Sequence, residues 1–244
     1  MTRLEIRTLA RKKLGETTAA FWSDTEMNTY INLGCSDVAE RTLCLRTTGH
    51  LTTSEVVQNA GATVESQWAL SSSFTNFLSV LDCHFHQNGT NWEEMEHKYK
   101  KDLDVETPGW RDAVGRPVTD PSTLYNYQAR SGVPYQYWWD YEEDLIGIYP
   151  PSNSANATSN NLKILYAFDS AGMSEDSESP DIQRPLHLAI VEFVTATGHE
   201  TRGLQDKANN SWAKYFKMLD DYHINKLKGR EDDDVSTKPY RSVS

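Results

Sequence analysis

The sequence is poor in the features that announce most biochemical classes. Its three cysteines, Cys35, Cys44 and Cys83, form neither a CxxC pair nor a disulfide framework. Cys35 and Cys44 fall in an apolar helical pattern, where a free thiol acts as a small hydrophobe. No stretch approaches the roughly 18 consecutive apolar residues that a membrane-spanning helix needs. Gly-x-Ser-x-Gly, a P-loop and Gly-x-Gly-x-x-Gly are all absent, so the common hydrolase and nucleotide-binding loops are excluded. The opening stretch from Met1 to Leu14 mixes charge with apolar residues and lacks the apolar centre of an export signal, so synthesis in a cytoplasm without export is expected. Basic residues are outnumbered, 24 against 35 acidic, for a formal charge of −11. Free nucleic acid would be repelled unless a local basic patch intervened. Apolar residues make up only 38%, but an 11% aromatic share compensates, because each buried ring removes a large area from water.

What is present begins with helical periodicity. Ile6, Leu9, Ala10 and Leu14 recur at steps of three and four, and Gly15 stands where a C-cap belongs. Ser23 with Glu26 three residues later is a capping box, with Phe21 or Trp22 placed to staple it. Met27, Tyr30, Ile31, Gly34, Val38 and Leu45 then share one face, predicting a second helix to about Leu45. Gly34 on that face would let another helix approach closely. From about His50 to Asp169 the apolar runs shorten to strand length. Strands are expected at 61–69, 74–85, 135–141, 144–149 and 162–168. The last two read as a hairpin closed by a long, mobile loop over 152–160. Residues 91–104 read as a short helix with Trp92, Met95 and Tyr99 on one face. A polar, acidic linker over 170–179 precedes a third helix opening at Pro180-Asp181, with Leu186, Ile190, Val194 and Thr197 inward. After Gly203 a fourth helix carries Trp212, Tyr215, Phe216, Leu219, His223 and Leu227. The fold class is therefore α+β. Its segments are N-terminal helices (1–49), a β-rich region (50–169), C-terminal helices in the same bundle (180–228), and an extended tail (229–244) too poor in apolar groups to fold alone.

Candidate chemistry is sparse. Cys83-His84-Phe85-His86, with His97 beyond, offers metal-ligand types, but a strand would turn Cys83 and Phe85 inward and leave two solvated histidines without a second ligand pair. Glu142, Glu143 and Asp144, or Glu93, Glu94 and Glu96, are carboxylate runs. Consecutive carboxylates on a strand alternate faces, so a solvated face is the simpler reading. No catalytic residue, metal or cofactor is assigned. The aromatic run Tyr135, Tyr137, Trp138, Trp139, Tyr141 alternates as a strand would, so one set can pack a core while the other faces a neighbouring subunit or solvent, with Tyr137 and Trp139 as the interface candidates. The alternative is a sugar platform on a carbohydrate-binding tail or fibre module. Arg3, Arg7 and Arg11 form an i, i+4, i+8 stripe, read either as a solvated face or as a dock for an acidic partner.

The order of elements carries a resemblance. Arg3-Leu4-Glu5-Ile6-Arg7 with Ala10-Arg11-Lys12-Lys13-Leu14-Gly15, then Trp22-Ser23-Asp24 with Glu26 and Tyr30-Ile31-Asn32, is similar to the opening of head-to-tail adaptor (connector) proteins of tailed bacteriophages. Gly132, Pro134 and Tyr137, then Asp144-Leu145-Ile146-Gly147-Ile148-Tyr149-Pro150, then Leu162, Ile164 and Tyr166 resemble the second half of that family. The resemblance implies a structural protein of the virion head-tail junction, made in the host cytoplasm. It implies a ring of twelve copies beneath the portal protein, meeting tail or nozzle proteins, through which genome DNA passes without specific binding and without a membrane. It further implies helical bundles side by side around the ring and a C-terminal segment that enters the portal. On this sequence that segment offers Arg230, Val235, Pro239, Tyr240 and Arg241.

Overall fold

The computed structural model describes residues 1–16, 19–52, 67–87, 91–99, 101–103, 133–149 and 160–236. The chain separates into a helical unit, Met1–Leu45 with Asp169–Ser244, and a β unit, Arg46–Phe168.

In the helical unit, α1 spans Arg3–Leu14 and α2 spans Asp24–Thr42. Both open on capping boxes. Thr2 and Glu5 serve α1, and Ser23 and Glu26 serve α2, each pair satisfying two orphan N–H groups. Gly15, at φ 75°, closes α1 and donates to Arg11 O and Lys12 O. α2 stops earlier than its apolar pattern suggests, because Leu43 turns left-handed at φ 46° and leads Cys44 and Leu45 inward. The third helix also starts later than expected. A 3-10 turn at Arg184–Leu186 precedes α4, here used for His187–Thr201, since the residue before Pro185 disfavours helical ψ. The short helix α3 (Leu70–Ser73) lies in the β unit. α4 is the central helix: Ala189, Ile190, Val191, Val194 and Ala196 are fully buried, and it packs against α1, α2 and α5 (Gln205–Ser236). Gly34 makes the close approach the sequence suggests. A Cβ there would lie 3.0 Å from Phe193 Cδ1 and 3.3 Å from Ile190 Cγ2.

One boundary is corrected. The fourth helix does not give way to an extended tail at Gly229, because α5 continues to Ser236 and carries Arg230 and Val235 on helical backbone. A mid-helix glycine costs only about 1 kcal/mol, and the flanking Lys228, Arg230 and Glu231 are good helix formers. Pro239, Tyr240 and Arg241 lie outside the described residues.

The β unit holds two four-stranded sheets. One runs β1 (Arg46–Leu51), β8 (Leu162–Phe168), β3 (Phe77–Gln87), β4 (Asn91–Glu94). The other runs β2 (Gln67–Ala69), β7 (Leu145–Tyr149), β6 (Gln136–Asp140), β5 (Glu96–His97). α3 (Leu70–Ser73) is a single turn after β2. The expected pairing of 144–149 with 162–168 is wrong: β7 pairs with β6 and β2, whereas β8 sits between β1 and β3. Both strands are apolar, and they meet through their faces. Ile146 and Ile148 share one core with Leu162, Ile164, Cys83, Phe85 and Tyr137. The expected loop at 152–159 and the strand start at 61–66 lie outside the described residues. Residues 91–97 form strands, not the expected helix. The Met95 N–H donates to Cys83 O at 2.9 Å and the Glu96 N–H to Tyr135 O at 2.9 Å, so each sheet draws one end of the segment into its ladder. β1 was hidden by the expectation of a longer α2, although its Thr47-Thr48 pair suits a strand.

Candidate functional site

The arginine stripe on α1 faces inward. Its i, i+4, i+8 spacing puts three guanidiniums on one helix face, and all three residues are at most 8% exposed. Arg3 donates from Nε and Nη2 to Asp176 Oδ1 at 3.1 and 2.9 Å, and from Nη1 to Met173 O at 2.7 Å. Arg7 donates to Asn28 Oδ1 at 2.9 Å and to both Asp176 oxygens at 3.0 and 2.5 Å. Arg11 donates to Glu16 Oε2 at 2.7 Å, Trp22 O at 2.9 Å and Asp24 Oδ1 at 2.8 Å. The Arg7 hydrogen bond above all, then that of Arg3, holds the Asp176 carboxyl below the usual carboxylate range. Backbone bonds add to this strap, since Arg3 N donates to Glu178 O and Leu4 N to Asp176 O. The stripe is therefore neither a solvated face nor a dock for a partner. It fastens the linker and the α1–α2 turn to the bundle. Sequence reasoning missed Glu16, Asp24 and Asp176 as its partners; Asp176 is one of several acids in an acidic linker, and nothing local singles it out.

The aromatic strand is mostly core. On β6, Tyr137 points into the core between the sheets, while Trp138 packs on the other face against Leu103, Leu145 and Tyr149. Trp138 lies over Gly147, where a Cβ would come within 2.3 Å of the indole. Burial removes Tyr137 as an interface residue. Trp139 keeps an edge at the surface and meets Phe77 and Tyr141 edge-on. Of the run, only Tyr135 and Tyr141 are well exposed. A sugar platform needs neighbouring rings on one open face, and this strand does not supply them.

The histidine segment behaves as a strand should. Cys83 and Phe85 are buried, and His84 and His86 lie on the outer face of the β1–β8–β3–β4 sheet. His84 Nε2 lies 2.8 Å from Asp82 Oδ2, and His86 stacks on Trp92 at 4.7 Å. His97 belongs to the other sheet, beside Tyr99 and Tyr137. Among the described residues no three His, Cys, Asp or Glu side chains come together as a metal site. The carboxylate runs do not converge either. Glu142 and Glu143 occupy the β6–β7 turn, where their N–H groups donate to Asp140 Oδ1 at 3.0 and 3.2 Å. Asp144 accepts from Leu70 N through its carbonyl and from Ser71 N through its side chain, tying the turn to α3. Glu96 is held below the usual range, chiefly by the Gln136 side chain and then by Lys98.

α5 is the remaining feature. It is 32 residues long against 15 for α4, and Leu219 is the last buried residue among its described side chains. From Asp221 to Lys226 its described side chains are exposed or half-buried. Beside it, Pro185, Leu186 and Met218 floor an open groove of about 520 Å3 edged by Gln183, Asp221 and Asn225.

Comparison with known proteins adds one finding. The sequence pattern of one family, described as SU10 adaptor protein, matches residues 1–242. No curated protein matches the chain.

Proposed function

The chain belongs to the SU10 adaptor protein family, a family of phage head-to-tail adaptors, and we propose that it forms a ring between portal and tail and lines the DNA passage. The role is structural and needs no catalytic group. A family match over nearly the whole chain carries this reading. Helices at both ends around a central β unit are consistent with it. In this proposal the helical units stand side by side around the ring of twelve, and the distal half of α5, with Arg230 and Val235, enters the portal, followed by Pro239, Tyr240 and Arg241. Two observations support that assignment. The helix continues past Leu219, the last buried residue among its described side chains, and a helix in water gains little from its own propensity without a partner surface. Tail or nozzle proteins take the opposite side, and the acidic balance lets the genome slide rather than stick.

Truncation tests it. Removing 229–244 should leave the helical and β units folded but abolish joining of filled heads to tails, scored by electron microscopy of lysates. Removing only 237–244 should give an intermediate loss. Normal joining by the longer truncation would overturn the portal assignment.

A further inference from the structure

Two surface features of the β unit are built in ways that a solvated surface does not require. The first is the β6–β7 turn. Tyr141 is 75% exposed at its start, yet the turn is rigid, since Asp140 caps two of its N–H groups and Asp144 clamps α3. Glu142 stands beside the ring, exposed. A rigid, exposed tyrosine flanked by acid is a preorganised knob, with little entropy left to lose on binding. The second is the outer face of the β1–β8–β3–β4 sheet. The strand register aligns His50, Lys163, His84 and Glu94 in one row. Trp92 lies over this face, stacked on His86, with His50 at 5.6 Å and the Lys163 ammonium 5.7 Å from its centroid. His84 and Asp82 engage each other. That leaves Lys163 as the fixed cation beside the indole and Glu94 as the acid at the far edge of the row. Among the described residues no carboxylate lies within salt-bridge distance of Lys163.

We propose that the acidic Tyr141 knob of one copy seats on the Trp92–Lys163 face of the next copy, forming a subunit contact of the ring. This rests on the ring reading given above. The two surfaces are complementary in kind: tyrosine meets tryptophan, and Glu142 meets Lys163. They belong to different sheets of the same unit, and in the proposed ring the knob of each copy meets the face of the next, head-to-tail. Arranged head-to-tail, such a contact leaves one knob and one face open at the ends and continues until a rotation closes it. Like charges opposed across it oppose assembly, and opposite charges set its register.

Charge exchange tests the contact. Lys163→Glu faces acid with acid, and Glu142→Lys faces base with base. Each variant alone should lose at least about tenfold in ring affinity by sedimentation velocity or native mass spectrometry. An equimolar mixture should recover it, because every contact in an alternating ring then joins opposite charges. Glu142 is exposed, so Glu142→Lys should leave thermal unfolding unmoved, while Lys163→Glu, which gives up the ammonium beside Trp92, should shift it only slightly. Tyr141→Ala gives a second reading, with a similar loss and unchanged unfolding. If wild-type rings form and the single variants assemble equally well, or the mixture fails to rescue them, this contact is refuted and the ring reading stands. If the wild-type chain forms no ring, alone or on purified portal, both fall together.

Discussion

Truncating Arg11 separates a structural arginine stripe from a docking one. The Arg11 and Glu16 side chains are each 7% exposed and pair at 2.7 Å. Arg11→Ala removes that pair together with the bonds to Trp22 O and Asp24. Breaking a buried ion pair by deleting one partner costs about 3–5 kcal/mol, because the other charge stays buried. Glu16 keeps two acceptor contacts, from the N–H groups of Ala20 and Phe21, so the lower end applies, about 3 kcal/mol. Against a total stability of about 5–15 kcal/mol this is a large share. For a chain of this size it lowers Tm by roughly 6–12 °C. Arg41→Ala is the control. Its i,i+4 pair with Asp37 is half exposed and should cost no more than about 0.5 kcal/mol. Replacing Arg11 and Glu16 together by Met and Leu should return most of the loss, since an apolar pair of similar volume avoids the desolvation penalty. Thermal unfolding followed by circular dichroism measures all three. An Arg11→Ala protein that melts within about 2 °C of wild type but fails to assemble would refute the internal role.

Gly147→Ala drives a methyl into the Trp138 indole, at 2.3 Å, and should cost about 1–3 kcal/mol with a change in tryptophan emission; unchanged unfolding would mean the indole moves freely. Asp176 is ionised more readily folded than unfolded, so its contribution is complete above its ordinary value of 3.8 and disappears as pH falls through the lower folded value. Asp176→Asn should remove that portion of the acid unfolding curve, and an identical acid limb would argue against the strap. His187 and His199, both buried, are pushed below the ordinary 6.5, chiefly by desolvation. Each favours the neutral form in the fold, so stability should decline as pH drops from 6.5 toward the folded values. His199→Gln should flatten that decline, and a stability curve that rises over this range would contradict the burial argument. Burial pushes the Cys35 thiol up to about 12 and also raises that of Cys83. Neither should react with a thiol reagent at neutral pH before denaturant opens the fold, and labelling of both in native protein would show that they are reachable.

Local signals were the readable ones. The capping box at Ser23 and Glu26, the Gly15 stop, the close-approach Gly34 and the inward Cys83 and Phe85 all follow from neighbours within a few residues. The errors share a different cause. β7 and β8 look like a hairpin because each is an apolar strand and they are near in sequence, but periodicity says which face is buried and not which sheet it joins. Residues 91–97 mimic a helix because Trp92, Met95 and Tyr99 fall at steps of three and four. In the structure Met95 is drawn inward beside Cys83, twelve residues earlier, while Trp92 turns outward. β6 was legible as a strand but not as a strand covered on both faces, since the cover for Trp138 comes from Leu103 and Tyr149.

The arginine stripe carries that argument to function. Arginine is the residue best fitted to grip phosphate, through its bidentate fork, and a row of three on one helix of an acidic chain invites reading as a contact for DNA or an acidic partner. Here each fork is already occupied. Arg3 and Arg7 hold Asp176, more than 160 residues away, and Arg11 holds Glu16 and Asp24. These arginines cannot turn toward a passing phosphate without dismantling the linker strap and the α1–α2 turn. In the ring proposed above, such subunits would draw rigidity from these arginines, whose forks are engaged within the subunit and not available to DNA.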